Sequence, residues 1–108
     1  MEYLVTMTTH VPAGTPDEAV ADVRAREGAH TRELAAQGHL VRLWQLPATD
    51  GVSSALGLWR TADPAQMQAI LQSLPLYPYV KTETTPLTPH PSDPAAPGSR
   101  SRIGANHG

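Results

Sequence analysis

Glu27 occupies a position that calls for a chemical reading. Val20, Val23 and Leu34 recur at helical spacing, and positions 27 and 30 or 31 complete the same stripe. Glu27 and His30 therefore fall on the face that a helix would turn toward a core. A carboxylate placed there costs desolvation energy unless it is paired. Desolvation also makes it a stronger base, as proton abstraction requires. Gly28 follows at a helix-propensity cost of about 1 kcal/mol, and its missing side chain leaves space for a ligand or a close backbone. Two readings of Glu27 stand side by side. It is a general base facing a cavity, or it is the structural partner of a buried arginine such as Arg42. His30 is a second proton-transfer candidate or an edge histidine. Arg24 and Arg26 are solvated, or one of them leans over the mouth of a pocket.

Other groups could complete such a site. Arg42 and Trp44 are two residues apart and share a strand face with Leu40 and Leu46. If that face points toward the helices, Arg42 comes within reach of Glu27 and can clamp a carboxylate. Tyr77 and Tyr79 flank Pro78, so they can close a pocket and donate hydrogen bonds, or simply pack. His90, between Pro89 and Pro91, can be held over a site or lie on the surface. The chain has no cysteine, no Gly-rich phosphate loop and no histidine pair at zinc spacing with a third ligand. Ser53-Ser54 lacks the context of a nucleophile. The chemistry left is proton transfer by a carboxylate in an apolar cavity, with no cofactor and no metal.

These side chains need elements to position them. Glu2–His10 alternates, with Tyr3, Val5 and Met7 on one face, and reads as a strand. Thr15-Pro16-Asp17-Glu18 reads as a helix start, with Thr15 as cap, and the helix runs to Gln37 with Gly38 as its left-handed stop. His39–Leu46 and Val52–Arg60 are the next strands, joined by a turn around Asp50-Gly51. Asp63-Pro64-Ala65-Gln66 opens a second helix that Pro75 ends, and Met67, Ile70, Leu71 and Leu74 form its apolar stripe. Tyr79–Thr84 supplies a fourth strand. The order β-α-β-β-α-β predicts an α+β, ferredoxin-like fold: an antiparallel sheet with two helices on one face. Strands apolar on both sides predict that the other face packs on a second subunit.

The chain has 108 residues, 8 Lys+Arg, 10 Asp+Glu and a net charge of −2. That length suits one domain. The charge argues against nucleic acid as the main partner. Apolar runs fall far short of the roughly 20 residues that cross a bilayer, and no secretory signal is evident, so a cytoplasmic protein without a membrane partner is expected. Prolines 86, 89, 91, 94 and 97 crowd the C-terminal stretch, which after Ser92 has Ile103 as its one large apolar residue. Residues 1–92 are expected to be the folding unit and residues 93–108 a disordered tail.

Residues 1–92 resemble the muconolactone isomerase family. The resemblance rests on Val5-Thr6-Met7-Thr8, on Ala25-Arg26-Glu27, and on Gln37-Gly38 leading to Arg42-Leu43-Trp44. It rests further on Leu74-Pro75-Leu76-Tyr77-Pro78-Tyr79, the most specific run, and on His90-Pro91-Ser92. It implies a ferredoxin-like subunit of the dimeric α/β-barrel kind in a ring-like homodecamer. It also implies a cofactor-free isomerase of the β-ketoadipate route for aromatic breakdown, moving a double bond of a small acidic butenolide by a 1,3 proton shift. Glu27 matches a glutamate of the family pattern. The candidates are then Glu27, His30 and His90 for catalysis, and Arg24, Arg42, Trp44, Tyr77 and Tyr79 for substrate binding. The sequence departs from the pattern in having Arg42 where His is more frequent, Gln45 in place of Arg and Arg24 in place of Lys. Small residues also replace an aromatic within Gly51-Val52-Ser53-Ser54-Ala55. These departures bear on the substrate. The alternatives are a related cyclase, lyase or monooxygenase, or a non-catalytic ligand-binding module; an ion pair between Glu27 and Arg42 would favour the module.

Overall fold

The computed structural model describes residues 1–48 and 52–95. Strand β1 (Glu2–Thr9), helix α1 (Asp17–Ala36), strands β2 (Leu40–Gln45) and β3 (Ser53–Arg60), helix α2 (Pro64–Ser73) and strand β4 (Val80–Leu87) follow in order. The strands form one sheet in the order β2-β3-β1-β4, with every pairing antiparallel. This is the expected ferredoxin-like α+β arrangement. The turn expected at Asp50-Gly51 lies outside the described residues, as does the expected tail from residue 96 onward.

The ends of the helices follow from local chemistry. Gly38, at φ 84°, terminates α1. Its N–H reaches the Ala35 carbonyl at 3.0 Å and the His39 N–H reaches that of Leu34 at 2.9 Å, so the last turn closes on itself. Asp63 caps α2 by accepting from the Gln66 N–H at 2.8 Å, while Gln66 Oε1 accepts from the Ala62 N–H at 2.7 Å. The start of α1 differs from the expectation. Pro16 is the capping residue and has no side chain able to cap. The Thr15 hydroxyl instead donates to the Pro12 carbonyl at 2.7 Å and closes the preceding turn. Tyr77–Tyr79 is a single 3-10 turn. β4 continues past Thr84 to Leu87 and includes Pro86; as an edge strand it needs no inward N–H there.

Both helices cover the face of the sheet that carries Tyr3, Val5 and Trp59. These three pack with Leu34 of α1, Met67 and Leu71 of α2, and Leu74 into one core. Trp59, Leu71 and Val5 are completely buried, and burial of such side chains stabilises by roughly 1.5–3 kcal/mol each. The core occupies one end of the sheet. Further along β1, the same face carries Met7 and Thr9, and there the helical layer no longer fills the space.

The register of β2 decides what faces that space. Leu40 pairs with Trp59, but the next partner of β3, Leu58, pairs with Arg42, so Val41 is an extra residue in a bulge. Simple alternation predicts Leu40, Arg42 and Trp44 on one face. The bulge reverses the parity after Leu40: Leu43 and Gln45 turn toward the helices, while Arg42 and Trp44 turn away. On that outer face the Arg42 guanidinium stacks 4.9 Å from the centre of the Trp44 ring.

Candidate active site

A cavity of about 310 Å³ lies between the middle of α1 and the open end of the sheet. Arg24, Glu27 and Gly28 line it from the helix, Leu43 and Gln45 from β2, and Ser53, Ser54 and Ala55 from β3. Glu27 is half-buried there. Its Oε1 accepts a hydrogen bond from the Leu76 N–H at 3.0 Å. Pro75 breaks α2 just before this residue and turns the Leu76 amide toward α1, which places the Leu-Pro-Leu-Tyr-Pro-Tyr run against Glu27. A backbone donor to a carboxylate is a strong, directional contact. It uses one oxygen and fixes the direction of the other.

Glu27 has no arginine partner among the described residues; its partner is the Leu76 amide. Gly28 forms cavity wall, and a Cβ built on it would meet only the tip of Arg32, at 3.5 Å. Its bareness therefore leaves ligand space and admits no close backbone. Arg24, one turn before Glu27, is exposed at the rim and forms no ion pair among the described residues, whereas Arg26 turns outward and pairs with Asp22 at 3.1 Å.

The remaining sequence candidates are not gathered into the cavity. Arg42 and Trp44 sit on the opposite face of the sheet because of the bulge. The hydroxyl of Ser73 donates to the Ile70 carbonyl, so the 2.8 Å contact between His30 Nε2 and Ser73 Oγ has the ring nitrogen donating. His30 thereby ties α1 to α2. Tyr77 packs against the core, and Tyr79 uses its backbone carbonyl to accept from the His10 N–H at 2.7 Å. Neither ring lines the cavity. His90 is exposed, and its Nδ1 accepts from the Ser92 N–H at 2.9 Å within a local turn. Thr9, Thr31 and Trp59 line the cavity without a sequence signal that marks them as site residues, and Gln45, noted as a departure from the family pattern, lines it too. Thr9 was findable by face alone, since it continues the alternation of Tyr3, Val5 and Met7. Trp59 has a further property: its Nε1 is a buried donor with no hydrogen-bond partner, a condition that costs about 1–3 kcal/mol.

Residues 1–93 match the sequence profile described as muconolactone delta-isomerase. The chain belongs to the muconolactone delta-isomerase family. The Muconolactone Delta-isomerase of Acinetobacter baylyi is 33% identical over 92 residues, covering 85% of this chain and 93% of that protein. The one from Cupriavidus pinatubonensis is 32% identical over 92 residues, covering 85% and 97%. A crystal structure of muconolactone isomerase superposes with a TM-score of 0.73 at 25% identity, over 85% of this chain and 93% of that one. The 5-chloro-2-hydroxyhydroquinone dehydrochlorinase of Burkholderia phenoliruptrix shares the fold, with a TM-score of 0.62 at 12% identity, over 86% and 99%. As a member of the muconolactone delta-isomerase family the chain is an isomerase. Among its described residues no helix is long and apolar enough to cross a membrane.

Proposed function

We propose that this isomerase moves the ring double bond of a small acidic butenolide, muconolactone or a close relative, by a 1,3 proton shift carried by Glu27. The observation that carries the reading is a single carboxylate in a cavity wall, held through one oxygen by the Leu76 N–H. The other oxygen takes the proton from the γ carbon of the lactone. The electrons pass through the conjugated system to the carbonyl oxygen and form a dienolate. Glu27, now protonated, returns a proton to the α carbon, and the double bond ends between the β and γ carbons. Nothing is gained or lost overall, so these steps call for no cofactor. Arg24 at the rim supplies the cation for the carboxylate arm of the substrate, in the place first considered for Arg42. Gly28 and the small side chains of Ser53 and Ala55 provide room for the ring.

The outer face of the sheet belongs to the same reading. Leu56 and Leu58 of β3, together with Trp44 and Leu87, leave apolar surface on the side away from the helices. A second copy of the chain is the proposed cover, as the homo-oligomer implied by the family would provide.

Turnover of muconolactone carrying deuterium at the γ carbon tests the mechanism. A single carboxylate shuttle transfers part of the label to the α carbon of the product, read by NMR in ordinary water. Product formed with no transferred label, and at an undiminished rate in Glu27→Gln, would exclude Glu27 as the carrier.

A further inference from the structure

Trp59, whose buried N–H is unpartnered, is one of the residues that line the cavity containing Glu27. A Cβ on Gly57 would stand 2.5 Å from Trp59 Nε1 and 3.3 Å from both Cδ1 and Cε2. The nitrogen edge of the indole therefore lies flat on the bare backbone of Gly57. From its own Cα the ring reaches back two residues along β3, toward Ala55 and Ser53, which line the cavity as the indole does. Leu43, paired with Gly57 across the sheet, lines it too and is 48% exposed, so it is the neighbour with room to yield. Trp59 itself is completely buried and its Nε1 finds no acceptor among the described residues. Bulk solvent does not satisfy this donor, and the surrounding side chains do not either.

We infer that Trp59 Nε1–H is a ligand-directed donor that takes the ring carbonyl oxygen of a bound lactone and holds the negative charge of its dienolate. This rests on the proposed proton shift at Glu27 and adds the group that stabilises its intermediate. It also orders the site. Arg24 at the rim takes the carboxylate arm, Glu27 stands over the reacting carbons, and the carbonyl oxygen points to the floor at Trp59. A donor already in place, shut off from water, needs no reorganisation when charge develops on the oxygen. Ligand entry displaces Leu43 and gives the N–H the acceptor that the free protein withholds.

The test uses γ-(carboxymethyl)-γ-butyrolactone, the saturated lactone acid with no double bond to move, and glutarate, which has carboxylates but no lactone carbonyl. Indole N–H resonances are followed in the intact chain, with Trp44→Phe identifying the Trp59 signal. The lactone acid should move the Trp59 N–H downfield and saturably, and glutarate should not. Trp59→Phe should lower kcat for muconolactone by about a hundredfold while weakening binding of the saturated acid about tenfold or less. Benzothienylalanine, which keeps the ring shape and lacks the N–H, should reproduce the kcat loss if the Phe variant fails to fold. Binding that shifts the Gly28 and Leu76 amides but leaves the Trp59 N–H unmoved overturns the inference and spares the role of Glu27. So does an isostere with full kcat. A Trp59 shift in a protein whose turnover is indifferent to Glu27→Gln keeps the donor and removes the proton shuttle. Failure of the lactone acid to bind at all overturns both.

Discussion

The Glu27 carboxylate accepts the Leu76 N–H across 49 residues of sequence, at 3.0 Å. The contact joins the one acidic group of the cavity wall to the connector that leaves α2. Glutamine at position 27 can still accept this bond through its amide oxygen, so base strength and local structure are separable there. Glu27→Gln is expected to lower kcat by at least about a hundredfold, with a melting temperature close to that of the parent. Steady-state kinetics and thermal denaturation on the same preparation check this.

Arg24 and Arg42 should part company in binding. Arg24 stands at the cavity rim and Arg42 on the far side of the sheet. Arg24→Met is expected to raise KM for an acidic lactone by about tenfold, the worth of a hydrogen-bonded charge pair, with a smaller change in kcat. Arg42→Met should leave KM unchanged when compared at equal assembly state. The reverse pattern would move the carboxylate clamp to Arg42.

Gly57 is required by its neighbour. A methyl group there would lie 2.5 Å from Trp59 Nε1, so Gly57→Ala forces a fully buried indole out of place. The expected destabilisation is about 1–3 kcal/mol, a fall in melting temperature of about 4–8 °C per kcal/mol for a domain of this size. Loss of near-ultraviolet circular dichroism from the indole should accompany it. An unchanged melting curve would show that the ring is not seated as described.

Assembly should run through the outer face. Leu58 of β3 points there, beside Arg42 of β2 and Leu4 of β1. Leu58→Asp is expected to shift the sedimentation profile toward the monomer without unfolding it. A parent chain that sediments as a stable monomer at micromolar concentration would count against the proposed cover of this face.

The elements and Glu27 were legible in the sequence because each has a side-chain signature. Glu27 interrupts an apolar helical stripe, and Asp63-Pro64-Ala65-Gln66 spells a helix start. Arg42 was misplaced because the Val41 bulge is a property of strand pairing, and nothing in Leu40-Val41-Arg42 announces which residue is the extra one. The Leu76 donor was invisible for another reason: a backbone N–H belongs to every residue except proline, and only the folded connector aims this one. Trp59 reads as a core tryptophan, which it is, and only its orphaned nitrogen sets it apart.

The bulge also sets an evolutionary distance. Deleting Val41 would leave Leu43 and Gln45 on the cavity side and Arg42 and Trp44 outside, because the extra residue would go and the frame beyond it would stay. Ironing the bulge flat with Val41 retained would exchange the two walls, bringing a guanidinium and an indole inward and sending Leu43 and Gln45 out. On this scaffold two differently furnished pockets share one chain length and differ only in the register of the second strand, so a substitution that flattens the bulge is a short route to a new substrate.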